Sequence, residues 1–286
     1  MRSHLGPDDN VLCAAQLRSA SLGERARLAA NHGFTALSFF LEDYDVARDS
    51  GLSDADIRSL LSDHGLAVAE LDPLMTWVPD SPRLDGASAE GAGFFRYDEQ
   101  DFYRVADAVG ARSINAVCAA PNAPGPERLA EALGKLCERA ASHDLLVHLE
   151  FMPWTPIANA TKALEIVELV DQPNCGIMLD TWHHFRSGLP DEALRAIPGD
   201  RLMAVQLNDA SAEPSGDIID ETLHRRLLMG DGAIDLPGVL RILREIGSRA
   251  PLGVEVFCDD LAAKGPEEEA RQLGAALRAL RSKSQV

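Results

Sequence analysis

The sequence is short of positive charge. Lys and Arg together number 27 against 45 Asp and Glu, leaving a net charge of −18. That balance argues against nucleic acid as a partner, because sequence-independent binding needs Lys and Arg to neutralise phosphates. It argues equally against an anionic membrane surface. A small anionic substrate needs only a local cation and stays open. Cysteine is also sparse: Cys13, Cys118, Cys137, Cys175 and Cys258 are scattered, odd in number and never spaced as CxxC. That is the usage of reduced, mostly buried thiols in a cytoplasm. No apolar run is long enough to span a bilayer, and the start MRSHLGPDDN has no apolar core of a secretion signal. The expected location is therefore cytoplasmic. No shift in composition marks a boundary, so residues 1–286 read as one domain. The acid at Pro266–Glu269 is expected on a solvated helix face.

What is present is alternation. Strands are expected at Val11–Gln16, Phe34–Phe40, Leu66–Leu71, Ser113–Cys118, Leu145–Phe151, Gly176–Asp180, Leu202–Leu207 and Leu252–Phe257. Between and after them, helical spacing runs through Leu22–His32, Asp54–His64, Asp98–Val109, Pro126–Ser142, Asn159–Val170, Pro190–Ala196, Leu236–Ile246 and Pro266–Arg281. Apolar strands alternating with amphipathic helices imply a parallel sheet with crossover helices. Eight such units predict the α/β class and a closed (β/α)8 TIM barrel. Ser53 opens a helix with the cap-like pattern S-D-A-D, and Gly33, Gly65 and Gly110 stand where helices end. A loop rich in Pro, Gly and Ser fills 73–93.

Four apolar runs end on a residue with side-chain oxygen: LLVHLE on Glu150, CGIMLD on Asp180, RLMAVQ on Gln206 and PLGVE on Glu255. In a parallel barrel the carboxyl ends of the strands carry the chemistry. A buried carboxylate without a partner is very costly, and one shared divalent cation removes that cost. The alternation of a strand puts His148 on the face of Glu150 and Met178 on that of Asp180. It likewise pairs Ala204 with Gln206 and Gly253 with Glu255, the small residues being expected to leave room beneath the site.

With these residues in view, the chain resembles the sugar phosphate isomerase/epimerase superfamily, the xylose-isomerase-like TIM barrels that include the AP endonuclease 2 type. The matching segments are HLEF at 148–151, LDTWH at 179–183, QLND at 206–209, GDGAID at 230–235 and GVEVF at 253–257. The resemblance implies that Glu150, Asp180, Gln206 and Glu255 bind one divalent metal ion. The superfamily usually has His where this chain has Gln206. An all-oxygen set favours Mn2+ or Mg2+ over Zn2+. By the same resemblance His183, three residues after Asp180, contacts substrate. Arg186 is read beside it as a candidate to hold a substrate carboxylate, phosphate or hydroxyl. Relatives are often dimers or tetramers, so a homo-oligomer is the partner expectation besides the small-molecule substrate.

The chemistry expected is proton abstraction. A ketone with a neighbouring hydroxyl can chelate the ion, which acts as a Lewis acid on the carbonyl. Glu150 and Glu255, from well-separated strands, then remove and return a proton. Epimerisation or aldose–ketose isomerisation of a small polyhydroxy ketone is the leading reading. Dehydration of a keto-inositol or a dehydroshikimate-like acid is the second. A repair endonuclease would need more His ligands and a basic groove, and a non-catalytic binding protein has Gln206 as its sole support. Asp209 and His148 are read as orienting groups. One of Arg225 and Arg226 is a candidate to reach the site. Glu70 and Asp72 compete as carboxylates, Trp77, Trp154 and Trp182 are candidate pocket walls, and Phe94 and Phe95 are assigned to core or interface.

Overall fold

In the computed structural model, which describes residues 4–79, 92–120 and 122–284, eight parallel strands close into a barrel in chain order. They are β1 (Asn10–Leu12), β2 (Ala36–Phe39), β3 (Ala67–Leu74), β4 (Ser113–Val117), β5 (Leu146–Glu150), β6 (Cys175–Asp180), β7 (Leu202–Leu207) and β8 (Leu252–Val254). The chain first passes through α1 (Leu22–Asn31), α2 (Leu41–Asp49), α3 (Asp54–Asp63), α4 (Glu99–Val109), α5 (Pro126–Ala141) and α6 (Ala160–Val170). It continues with α7 (Thr181–Arg186), α8 (Glu192–Arg195), α9 (Ile218–His224), α10 (Leu236–Glu245), α11 (Asp259–Ala262) and α12 (Pro266–Ser284). The α/β class and the single TIM barrel read from the sequence are what the structure shows. No described helix is long and apolar enough to cross a membrane.

Sequence rules explain the boundaries. Ser53 accepts from the Asp56 amide while Asp56 accepts from the Ser53 amide, a reciprocal cap on α3 that contributes about 1 kcal/mol. Gly33, Gly65 and Gly110 all have positive φ. The first and last strands are shorter than expected. β1 stops at Leu12, and residues 13–16 turn away to bring Leu17 to α12, where its amide donates to Glu269. Glu269 is thus buried, while Glu267 and Glu268 keep the solvated acidic face expected of this segment. Four short helices escaped the periodicity reading: α2, α7, α9 and α11. Each spans three turns or fewer, too little for an apolar stripe to repeat. Of the loop at 73–93, residues 73 and 74 belong to β3, and residues 80–91 lie outside the described residues.

The main core lies between the strands and the outer helices, with a small satellite of Val11, Ala36 and Ala69. Polar residues fall at alternate positions on several strands: Glu70 and Asp72, Ser113 and Asn115, His148 and Glu150. Room beneath the site is not what Gly253 provides. A Cβ there would come 2.7 Å from the Val205 carbonyl oxygen and 2.9 Å from Cys13 Sγ. The space is already filled by Cys13.

Candidate active site

A cavity of about 430 Å3 opens over the carboxyl ends of the strands. Asp72, Glu150, His183, Arg226 and Glu255 form its ionisable floor, and Phe40, Phe94, Phe95, Met152, Trp154 and Phe257 are among its walls. Phe94 and Phe95 therefore wall the cavity, contrary to the assignment to core or interface. Trp154 stands at its mouth, edge-on to His183 with ring centroids 5.2 Å apart. Trp182 is fully buried and Trp77 donates from its indole nitrogen to the Val117 carbonyl, so neither walls the cavity.

Glu150 is held from one side. Asn115 Nδ2 donates to Glu150 Oε2 at 2.6 Å and to Asp72 Oδ1 at 2.8 Å. With both amide hydrogens committed to carboxylates, Asn115 Oδ1 is left as an acceptor for His148 Nδ1 at 3.3 Å. The imidazole thus fixes the amide that fixes Glu150, the orienting role expected of His148. Burial, then the nearby positive charge of Arg112, lowers His148 to about 3, so the ring is neutral near pH 7.

Asp180 ends β6 and caps α7 at once. Its Oδ1 accepts from the His183 amide at 3.0 Å, and its Oδ2 accepts from Asn208 Nδ2 at 3.0 Å. The three-residue spacing of Asp180 and His183 is that of an N-cap and its N3 residue. Capping is what folds the imidazole back beside the carboxylate. Donor atoms of Glu150, Asp180 and His183 lie within 4.8 Å of one another, all three residues buried. His183 Nε2 is 3.5 Å from Glu150 Oε1.

Gln206 and Glu255 form the other side. Gln206 Nε2 donates to Glu255 Oε1 at 3.1 Å and reaches Asp72 Oδ2 at 3.4 Å, while Gln206 Oε1 is buried with no donor among the described residues. Between the two sides stands Arg226. Its Nη1 donates to Asp180 Oδ2 at 2.7 Å and to Glu255 Oε2 at 3.1 Å, and its Nη2 lies 3.5 Å from His183 Nε2. The sequence offered Arg225 and Arg226 equally. Arg225 pairs with Asp220 at the surface.

The electrostatics follow from burial. Burial and then the charges of Asp72 and Asp180 hold Glu150 well above the ordinary carboxylate range. Burial raises Glu255 as well, and Arg226 only partly offsets it. Burial would raise Asp180 too, but the Arg226 charge, His183 and the hydrogen bonds from the His183 amide and Asn208 leave it below its usual value. Asp72 is pushed up to about 6 by burial, against hydrogen bonds from Asn115 and Gln206. His183 is lowered to about 4 by burial, with Asp180 and Arg226 pulling in opposite directions. Four carboxyl groups thus face one guanidinium.

That surplus, together with the undonated oxygen of Gln206, fits a divalent cation. The donors gathered most closely include an imidazole nitrogen, so the set within reach is broader than the all-oxygen one expected.

Two expected residues lie elsewhere. Arg186, read as a substrate-binding group, is turned onto Glu221, to which its Nε donates at 3.0 Å, and onto the Ser211 carbonyl at 2.9 Å. The buried carboxylate of Glu221 claims the guanidinium, and Arg186 does not line the cavity. Asp209 serves the GDG turn instead of a ligand, accepting from the amides of Gly230, Gly232 and Ile234.

A family model described as a xylose isomerase-like TIM barrel matches residues 26–283. A 3-dehydroshikimate dehydratase of Pseudomonas aeruginosa is 29% identical over 249 residues, covering 86% of this chain and 37% of that protein. An inosose isomerase of Bacillus subtilis is 32% identical over 129 residues, covering 44% of this chain and 45% of that protein. The chain therefore spans less than half the length of either relative. Among solved structures, the IOLI protein with a bound zinc atom superimposes with a TM-score of 0.83 at 21% identity, covering 96% of this chain and 99% of that one.

Proposed function

This chain belongs to the xylose isomerase-like TIM barrel family, and on that premise we propose that it is a divalent-metal-dependent dehydratase of a small cyclic hydroxy-keto acid. The observation that carries the proposal is the buried Glu150–Asp180–His183 cluster beneath a cavity into which Arg226 also faces. Glu150, Asp180, Gln206 and Glu255 would hold the ion, Mn2+ or Mg2+ before Zn2+ because carboxylates dominate. When bound, it supplies Lewis-acid polarisation of the substrate carbonyl.

The residues do the rest. Glu150 takes the proton from the carbon beside the carbonyl, and the electron pair of that C–H bond becomes a new C=C bond. The bond from the β-carbon to its hydroxyl breaks. His183, 3.5 Å from Glu150, relays the proton to the departing oxygen, which leaves as water. Such a one-sided shuttle suits elimination, because the base and the proton relay stand side by side on one flank of the cavity. The apolar upper wall also favours a compact ring over an open sugar, since each buried hydroxyl without a partner costs about 1–3 kcal/mol. The dehydratase match extends over 86% of the chain. The five free thiols support a cytoplasmic location, and the acidic net charge supports a small molecule, not nucleic acid or membrane, as partner.

One observation favours isomerisation or epimerisation as a second reading: Glu150 and Glu255 line the same cavity and so can address two faces of one carbon. Incubation of the metal-loaded protein with 3-dehydroshikimate separates the readings. Dehydration gives an aromatic product with a new ultraviolet band, which Glu150→Gln abolishes. Silence there, with deuterium entering an inosose from D2O, would overturn the dehydratase in favour of the isomerase.

A further inference from the structure

The guanidinium of Arg226 stands among the residues proposed to hold the metal. Its Nη1 contacts oxygen atoms of both Asp180 and Glu255, at 2.7 and 3.1 Å. The arm is clamped by Thr222, whose carbonyl accepts from Nε at 2.9 Å and whose hydroxyl accepts from Nη2 at 2.9 Å. The guanidinium lies over the rings of Trp182 and Phe257, at 5.6 and 5.0 Å from their centroids. A charge-assisted contact of this length is among the stronger polar interactions in a protein. Two cations cannot occupy the same carboxylate oxygens at bonding distance without strong repulsion.

We propose that Arg226 is the resident cation of this cluster and that a divalent ion binds by displacing it from Asp180 and Glu255, so that Arg226 sets the metal affinity of the site. The inference rests on the metal-dependent reading above. Gln206 fits the same exchange. With Arg226 in place, the amide turns its nitrogen to the Glu255 carboxylate and leaves its buried oxygen without a donor. A half-turn of the amide presents that oxygen to an incoming ion. Arg226 also lines the cavity, so the displaced guanidinium has space to enter.

Titration of the metal-stripped, full-length protein with Mn2+ by calorimetry tests the exchange. Arg226→Gln is expected to bind Mn2+ at least about tenfold more tightly than wild type, about 1.4 kcal/mol. Without metal, the variant should melt below metal-free wild type, and Mn2+ should close most of that gap. Arg226→Lys, which keeps a charge on a different arm, should fall between. Thr222→Val, which removes one clamp on the guanidinium, should tighten Mn2+ binding a few-fold and serves if Arg226→Gln does not fold. Equal or weaker Mn2+ binding in the folded variants overturns the displacement and leaves the metal-dependent reading standing. If wild type and variants alike bind none of Mn2+, Mg2+ and Zn2+, both fall.

Discussion

Two clusters in this molecule are each built on an arginine, and they differ in what the arginine leaves over. At the end of α7, Arg186 meets Glu221 of α9, and the Ser211 carbonyl and hydroxyl take further hydrogen bonds. One charge answers one charge. At the barrel mouth, Arg226 faces Asp180 and Glu255 directly, with Glu150 and Asp72 close behind. The first arrangement is complete and serves to fix α9, which carries Thr222 and leads to Arg226. The second has a surplus of carboxyl groups held out of their usual protonation range, in contact with a cavity. Surplus is what separates a site from a brace, because perturbed titratable groups gathered in a cleft are suited to binding and proton transfer.

The sharpest way to break the comparison is to replace one ionisable side chain in each cluster. Glu150→Gln should lower turnover about 10^3-fold, the range for loss of a positioned acid–base group, while the thermal midpoint holds or rises because a crowded carboxyl is gone. A variant retaining full turnover would refute the role given to Glu150. Arg186→Met should do the reverse. It leaves Glu221 buried and unpaired at a cost of about 3 kcal/mol, read as a fall in urea-unfolding stability, with turnover per folded molecule nearly unchanged. Lost turnover at full stability would place Arg186 in the site after all.

The next test concerns the interior below the mouth. Glu70 is pushed up to about 8, first by burial and then by the charge of Asp72. Its folded value exceeds its unfolded one, so its contribution to stability is present at low pH and is lost as pH rises through about 8. Between pH 6.5 and 8 the ordinary titration of unfolded His148 is common to wild type and Glu70→Gln, so the difference between the two proteins isolates Glu70. Metal-free wild type should lose about 1.4 kcal/mol per pH unit more than Glu70→Gln across that window. Parallel urea midpoints for the two proteins would show that Glu70 ionises normally. The smallest effect is expected at the rim. Trp154→Ala should raise KM a few-fold and leave kcat within about twofold, since Trp154 walls the cavity without touching the carboxylates. A large fall in kcat would mean that Trp154 holds His183 in place.

Much of this was legible in the sequence. The strands were readable because a strand covered on both faces is an unbroken apolar run, and LMAVQL at β7 needed no correction. Glu150, Asp180, Gln206 and Glu255 stood out because a polar group closing such a run has few bland explanations. His183 followed from Asp180, since capping works at fixed short spacing. Asn115 and Asn208, which orient Glu150 and Asp180, gave no comparable signal: a single polar residue in or just after a strand resembles many others.

The two arginines mark the limit. The chain by itself determined the eight-fold alternation and which side chains sit at the strand ends, because periodicity and local capping act over a few residues. The fold alone decided that Arg226 and not Arg186 enters the floor. That choice depends on where α9 docks, on Glu221 reaching Arg186 across 35 residues and on Asp180 meeting Arg226 across 46. Charge pairing at such separations is settled by which groups packing brings within a few ångströms, and no local pattern encodes it.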